Sequence, residues 1–382
     1  MKIARAILIF AALIAFYGIS AAQNITIKAG TTKLLYDQRH YPAIYGEGVA
    51  PIIPTVGMKI GWRDYSDTPY SIICNNPEWG IAFQMDGLGD ARAIDGPGLG
   101  NIYCLYGYLD RPLVEAGRLM LGYSAGFGLG CCYSKLYDPV SNPKNLLFSV
   151  PLNSRIRFGL EARYRFSKRY YTGLGFYFNH SSNGDVNYPN RGYNGYELSL
   201  FAGMDGDDAD RVMPERRFDT FRRRVQFDVQ VSAGVVSNED YFYYCEETLG
   251  GGDNMHYPKY SLQADCLYKY CFTHATGIGF DLFVTPFCEQ IAMYDGRDDI
   301  YDPVSVGLSI LHEMCYRDLT LTVGVGRYLY HNDGLARFKK LYQMVHIKYH
   351  FPSLADTYVG LALKAHKFMK AESVQLCIGK RF

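Results

Sequence analysis

His180 and Ser182 are the residues in this chain whose types and spacing could do covalent chemistry. An imidazole within hydrogen-bond reach of a hydroxyl acts as its general base and turns a weak nucleophile into a strong one. The two lie in the run Phe176-Tyr177-Phe178-Asn179-His180-Ser181-Ser182-Asn183-Gly184. Residues two apart on a β-strand share a face, so His180 and Ser182 would point the same way as Phe176 and Phe178. Polar groups set against hydrocarbon without partners cost free energy. The pair therefore makes sense if the imidazole serves the hydroxyl and the substrate is itself a lipid. Another serine, in Gly122-Tyr123-Ser124-Ala125-Gly126, matches the G-x-S-x-G nucleophile elbow. That elbow needs a sharp strand-to-helix turn. Ser124 instead lies mid-strand on a face of small residues with no helical segment after it, so the match is read as chance. The ten cysteines contain no C-x-x-C pair and the other histidines show no ligand spacing, so no metal is implied, and no organic cofactor either.

The elements that must position His180 and Ser182 are strands. In Leu119–Leu129 one face reads Leu119, Leu121, Tyr123, Ala125, Phe127 and Leu129, and the other reads Met120, Gly122, Ser124, Gly126 and Gly128. An apolar bulky face opposite a small one suits lipid outside and a lumen inside. Val374, Leu376 and Ile378 repeat the pattern before the chain stops at Phe382. Further strands are expected near 26–36 or in its place a lead-in over 23–45, then near 52–63, 78–85, 101–108, 117–129, 151–165, 170–182, 192–204, 221–236, 258–271, 274–286, 303–315, 318–330, 340–350, 354–366 and 371–382. The expected fold is all-β: one antiparallel transmembrane β-barrel over 46–382, of about fourteen strands within a range of roughly 12–16, closed because hydrocarbon offers no partner for a free edge.

Composition agrees. The chain has 34 tyrosines and 39 glycines, and its 39 basic residues nearly cancel its 38 acidic ones, so no field would recruit nucleic acid. Lys2 and Arg5, the apolar run Ala6–Ile19 and the small residues Ser20, Ala21 and Ala22 read as a signal peptide over 1–22. Counting back from a periplasmic C-terminus puts the long segments 130–150, 182–192, 237–257 and 287–302 outside the cell and short turns such as Phe166–Arg169 inside, with the basic stretch Arg211–Arg224 as an exception. His180 and Ser182 then stand at the outer end of their strand.

Over roughly 117–204 the pattern H-x-S-N-G at His180–Gly184, followed by the P-N-x-G turn at Pro189–Gly192 and a paired strand, resembles the lipid A 3-O-deacylase family, also called acyloxyacyl hydrolases. The run Tyr137-Asp138-Pro139-x-x-Asn142-Pro143 and the closing Ile378-Gly379-Lys380-Arg381-Phe382 resemble its longer members. The short members are eight-stranded barrels, so the extra strands here are a departure. The resemblance implies an outer-membrane esterase that removes an ester-linked acyl chain from lipid A. It makes Ser182 the nucleophile and His180 the base, and places Asn183, Gly184 and Asn190 where the family supplies oxyanion donors. Members with a complete triad carry Glu at the position of Asn194. Parity decides between candidates here. Asn194 shares its face with the apolar Tyr196, Leu198 and Leu200, whereas Glu197 has the opposite parity and should face the lumen. Asn194 is thus expected to orient His180 through its carbonyl, with less help to an imidazolium than a carboxylate gives. The implied partners are lipopolysaccharide of the outer leaflet and, through Phe382, the outer-membrane assembly machinery, and the sequence leaves a homodimer open. Two other classes stay open: a porin-like channel, and a structural or binding barrel that lost catalysis with the acid.

Overall fold

The computed structural model describes residues 24–35, 52–87, 99–143, 145–206, 220–288, 301–332, 340–367 and 370–382. The signal peptide expected over 1–22 lies outside them. The strands are β1 (Asn24–Leu34), β2 (Ile52–Arg63), β3 (Glu78–Asp86), β4 (Ile102–Ala116), β5 (Leu119–Cys131), β6 (Leu152–Arg165), β7 (Tyr170–Ser182) and β8 (Tyr193–Asp205), then β9 (Arg224–Ser237), β10 (His256–Lys269), β11 (His274–Val284), β12 (Val304–Tyr316), β13 (Leu319–Tyr330), β14 (Leu341–Phe351), β15 (Thr357–His366) and β16 (Lys370–Arg381). Among the described residues two α-helices punctuate them, α1 (Pro69–Ile73) and α2 (Glu239–Leu249).

The sixteen strands fall within the expected range, but they close as two antiparallel barrels of eight, β1–β8 and β9–β16, and not as one. This corrects the single barrel over 46–382. The closing contact is β1 against β8, from Asn24 opposite Asp205 to Leu34 opposite Gly195. Residues 24–34 are therefore a barrel strand and not a lead-in. Their outward side (Ile25, Ile27, Ala29, Thr31, Lys33) is only weakly apolar, so alternation alone marks this strand faintly. In the second barrel β16 closes on β9, from Gln375 opposite Gly234 to Arg381 opposite Asp228. Of the basic stretch 211–224 that broke the rule of short inner turns, 211–219 lie outside the described residues and Arg224 opens β9.

By its internal packing the first unit comprises residues up to Asn183 together with Pro189–Arg217, and the second comprises Gly184–Tyr188 with Phe218–Phe382. Each interior is filled, as eight strands leave room for side chains and little else. In the first barrel Lys28 pairs with Glu197 at 2.9 Å, Lys59 with Glu161 at 2.9 Å and with Asp110, and Arg155 with Asp86 at 3.0 Å. In the second, Arg381 grips Asp228 through two hydrogen bonds of 2.7 and 2.8 Å and reaches Glu313 at 2.6 Å. Buried charges persist only when paired in this way. The outer walls are the reverse: Leu160 is 58% exposed, Leu200 65% and Leu376 72%. Ser124 of the G-x-S-x-G run is buried mid-strand on the lumen side of β5. None of the ten cysteines is in a disulfide.

Candidate active site

The β7–β8 hairpin places three polar side chains on an apolar outer wall. Along β7 the positions of outward parity are Tyr170, Thr172, Leu174, Phe176, Phe178, His180 and Ser182, of which Ser182 at the strand end is itself buried, while Tyr171, Tyr177, Asn179 and Ser181 are buried on the lumen side. Antiparallel register sets His180 directly opposite Asn194 and Phe178 opposite Tyr196. Opposed residues hold their Cβ atoms about 5 Å apart, close enough for short side chains to bond across the strands. His180 Nδ1 is 2.7 Å from Asn194 Oδ1, and His180 Nε2 is 2.9 Å from Ser182 Oγ. The amide oxygen can only accept, so Nδ1 carries the proton and Nε2 keeps its lone pair toward the serine hydroxyl. This tautomer is the one a general base needs.

Glu197 stands on the other side of the wall. It is fully buried and bonds Lys28, Ser199 and Asn179 inside the barrel. The geometry therefore brings together His180, Ser182 and Asn194 and keeps Glu197 away from them. Below Asn194, toward the middle of the wall, Tyr196 stacks on Phe176 with ring centroids 5.6 Å apart and tilts against Phe178 at 5.9 Å. Ser182 is the last residue of β7, and its carbonyl accepts a 2.9 Å hydrogen bond from Ser154 Oγ on β6.

Family models match the two barrels separately. "Lipid A 3-O-deacylase (PagL)" covers residues 58–202 and "Acyloxyacyl hydrolase, C-terminal domain" covers 225–382. The chain belongs to the lipid A 3-O-deacylase and acyloxyacyl hydrolase family. As a member of that family it is a bacterial outer-membrane barrel protein, and the apolar outer walls of both barrels face lipid. Among solved structures it is similar to the crystal structure of the outer membrane enzyme PagL, with 15% identity and a TM-score of 0.30 over 47% of this chain and 97% of that one. It is also similar to that of Neisserial surface protein A, with 10% identity and a TM-score of 0.30 over 48% of this chain and 96% of that one. No curated protein matches by sequence.

The remaining expected site residues of this family member flank Ser182. The Asn183 backbone N–H donates to Asn190 Oδ1 at 3.2 Å, and its side-chain amide donates to Ser149 Oγ at 3.4 Å. Asn190 is thus held against the residue that follows Ser182. Gly184 has φ +70°, in the left-handed region that favours glycine. Two neighbours were not singled out from the sequence. Gly192, with φ +67°, lies so close that a Cβ there would come 2.7 Å from Ser181 O, 3.1 Å from Ser182 Cβ and 3.6 Å from His180 Cε1. Its place in the P-N-x-G turn was the available signal. Ser149 lies in a loop far away in sequence, and nothing local marks it.

Proposed function

We propose that this protein is a serine esterase that removes an ester-linked acyl chain from lipid A, working on the lipid-facing wall of its first barrel. The observation that carries the reading is the hydrogen-bonded line Asn194–His180–Ser182 on a surface otherwise given over to apolar side chains. Family membership supports lipid A as the substrate class. Ser182 Oγ attacks the ester carbonyl while His180 Nε2 takes its proton. The carbonyl oxygen becomes an oxyanion, and donors around Asn183, Gly184 and Asn190 would stabilise it, each good donor being worth about 10²–10³ in rate. The carbon–oxygen bond to the sugar then breaks, and the imidazolium returns its proton to the departing hydroxyl. Water, deprotonated by His180, releases the fatty acid from Ser182. Asn194 holds the tautomer throughout, although its amide cannot offset the imidazolium charge as a carboxylate would.

That substitution of amide for acid is also the one observation favouring a second reading, a barrel of the same descent with impaired catalysis. The filled interiors give no support to a channel. In the same proposal, Phe382, exposed beyond β16, serves the outer-membrane assembly machinery. The deciding experiment is mass spectrometry of lipid A from cells expressing the protein or its Ser182→Ala variant. Loss of one acyl chain with the native protein alone is expected. Unchanged lipid A in both, with the protein present in the outer membrane, would move the assignment to the impaired barrel.

A further inference from the structure

The run Tyr137–Pro143, conspicuous in the sequence and unused by the chemistry above, sits in the segment 132–151 between β5 and β6. This segment is knotted by two buried asparagines. Asn142, 3% exposed, donates through Nδ2 to Lys135 O at 2.6 Å and Leu136 O at 3.1 Å. Asn145, 1% exposed, donates to the same Lys135 carbonyl and accepts through Oδ1 from Leu147 N–H at 3.0 Å and Phe148 N–H at 3.4 Å. Tyr137 N–H closes the knot on Phe148 O at 2.8 Å. Phe148 is fully buried and Leu147 nearly so, in one apolar cluster with Leu99, Cys132 and Tyr193.

The knot hands its order to the site. Leu146 O accepts from Arg191 N–H at 3.0 Å, and Leu147 O accepts from Gly192 N–H at 3.2 Å. Ser149 Oγ receives the Asn183 amide. Gly192 is the residue whose backbone rests against Ser182 and His180. Asn145 therefore fixes the peptide units that fix Gly192, and Gly192 backs the two groups that would react. A carboxamide can do this because it donates and accepts at once, and a buried one left half-satisfied would be costly.

We infer that Asn145 is a positioning residue for catalysis: it holds segment 146–149 so that Gly192 and Asn183 keep His180 and Ser182 in reactive alignment. The inference rests on the esterase reading above. Its test uses full-length protein in outer-membrane vesicles, comparing native with Asn145→Ala, Ser149→Ala and Ser182→Ala. Folding is checked by heat-modifiable gel mobility. Two readouts are taken: deacylation kinetics on lipid A, and hydrogen–deuterium exchange of peptides spanning 183–193. The expected result for Asn145→Ala is a kcat lower by roughly 10- to 100-fold with KM little changed, the size that small misplacement of reacting groups produces, together with faster exchange at 191–192. Ser149→Ala, a milder change that leaves the knot intact, is expected to lower kcat a few-fold with KM unchanged. Native kcat in folded Asn145→Ala overturns the inference, as does a rise in KM alone or a loss of activity without faster exchange at 191–192. Should Asn145→Ala not fold, native kcat in Ser149→Ala overturns it instead. Activity that survives Ser182→Ala would sink the esterase reading itself, whereas activity abolished by Ser182→Ala and untouched by Asn145→Ala sinks only the positioning role.

Discussion

The two barrels share strand number, closure and an ion-paired interior, and each carries a histidine bonded to a hydroxyl on its outer wall. In the first barrel the pair is His180 and Ser182. In the second it is His312 and Thr276, in register across β12 and β11, with His312 Nδ1 2.9 Å from Thr276 Oγ1. The surroundings separate them. The first imidazole receives the hydroxyl on Nε2 while Asn194 fixes Nδ1, and Gly192 backs both groups. The second imidazole uses Nδ1 for the threonine, is stacked on His274 at 5.3 Å, and has no side chain among the described residues orienting its Nε2. It also lies beside the short turns at 270–273 and 317–318 and not beside long loops. A polar pair on a lipid-facing wall is therefore not yet a site; an orienting group and a rigid backing distinguish one from an interfacial hydrogen bond.

The sharpest way to break this comparison is to remove both hydroxyls. Ser182→Ala should lower deacylation by at least about 10³-fold, the scale of losing a triad nucleophile. Thr276→Ala should leave it unchanged, as measured by release of fatty acid from lipid A. Equal losses from both would erase the distinction drawn here. Next in size is Gly192→Ala. A side chain forced into a left-handed conformation and against Ser181 O should misalign the pair and cost roughly 10²-fold in kcat. Retained kcat would show that the backing is unimportant.

Asn194 tests the orienting group. Asn194→Ala should cost about tenfold or more in kcat by freeing the imidazole, and Asn194→Glu should raise kcat several-fold by offsetting the imidazolium charge. A glutamate variant slower than native would mean that the amide is the adapted partner here. The smallest effect on activity is expected from the second interior. Arg381→Ala strands Asp228 and Glu313 and should destabilise by about 3–5 kcal/mol, read as a lower unfolding temperature, with deacylation at 25 °C unaffected.

How far the sequence announced all this depends on the range of the interactions involved. Period-two alternation is local, so strands such as 52–63, 170–182 and 371–382 were legible from their own residues, and β1 was legible only as an alternative because Ala29, Thr31 and Lys33 leave a faint apolar face. Barrel closure is not local. Nothing within β8 says that its free edge will meet β1 and not β9, since both offer the same backbone groups, and the two-barrel arrangement was missed for that reason. The site divides in the same way. Parity along two strands put His180, Ser182 and Asn194 on one wall and Glu197 on the other, and the side chains lie so. Ser149 and Asn145 reach the site through loop hydrogen bonds that follow no period, and no spacing could have indicated them.

For the esterase proposed above, the outward parity of Ser182 on β7 has a kinetic meaning. A site that opens onto the membrane draws its substrate from two dimensions, so the concentration that governs its rate is the mole fraction of substrate in the leaflet and not the amount per litre. Adding inert detergent or phospholipid should slow it at constant total substrate. An inhibitor would reach it only after partitioning into the bilayer, and its potency would follow its lipophilicity as closely as its fit.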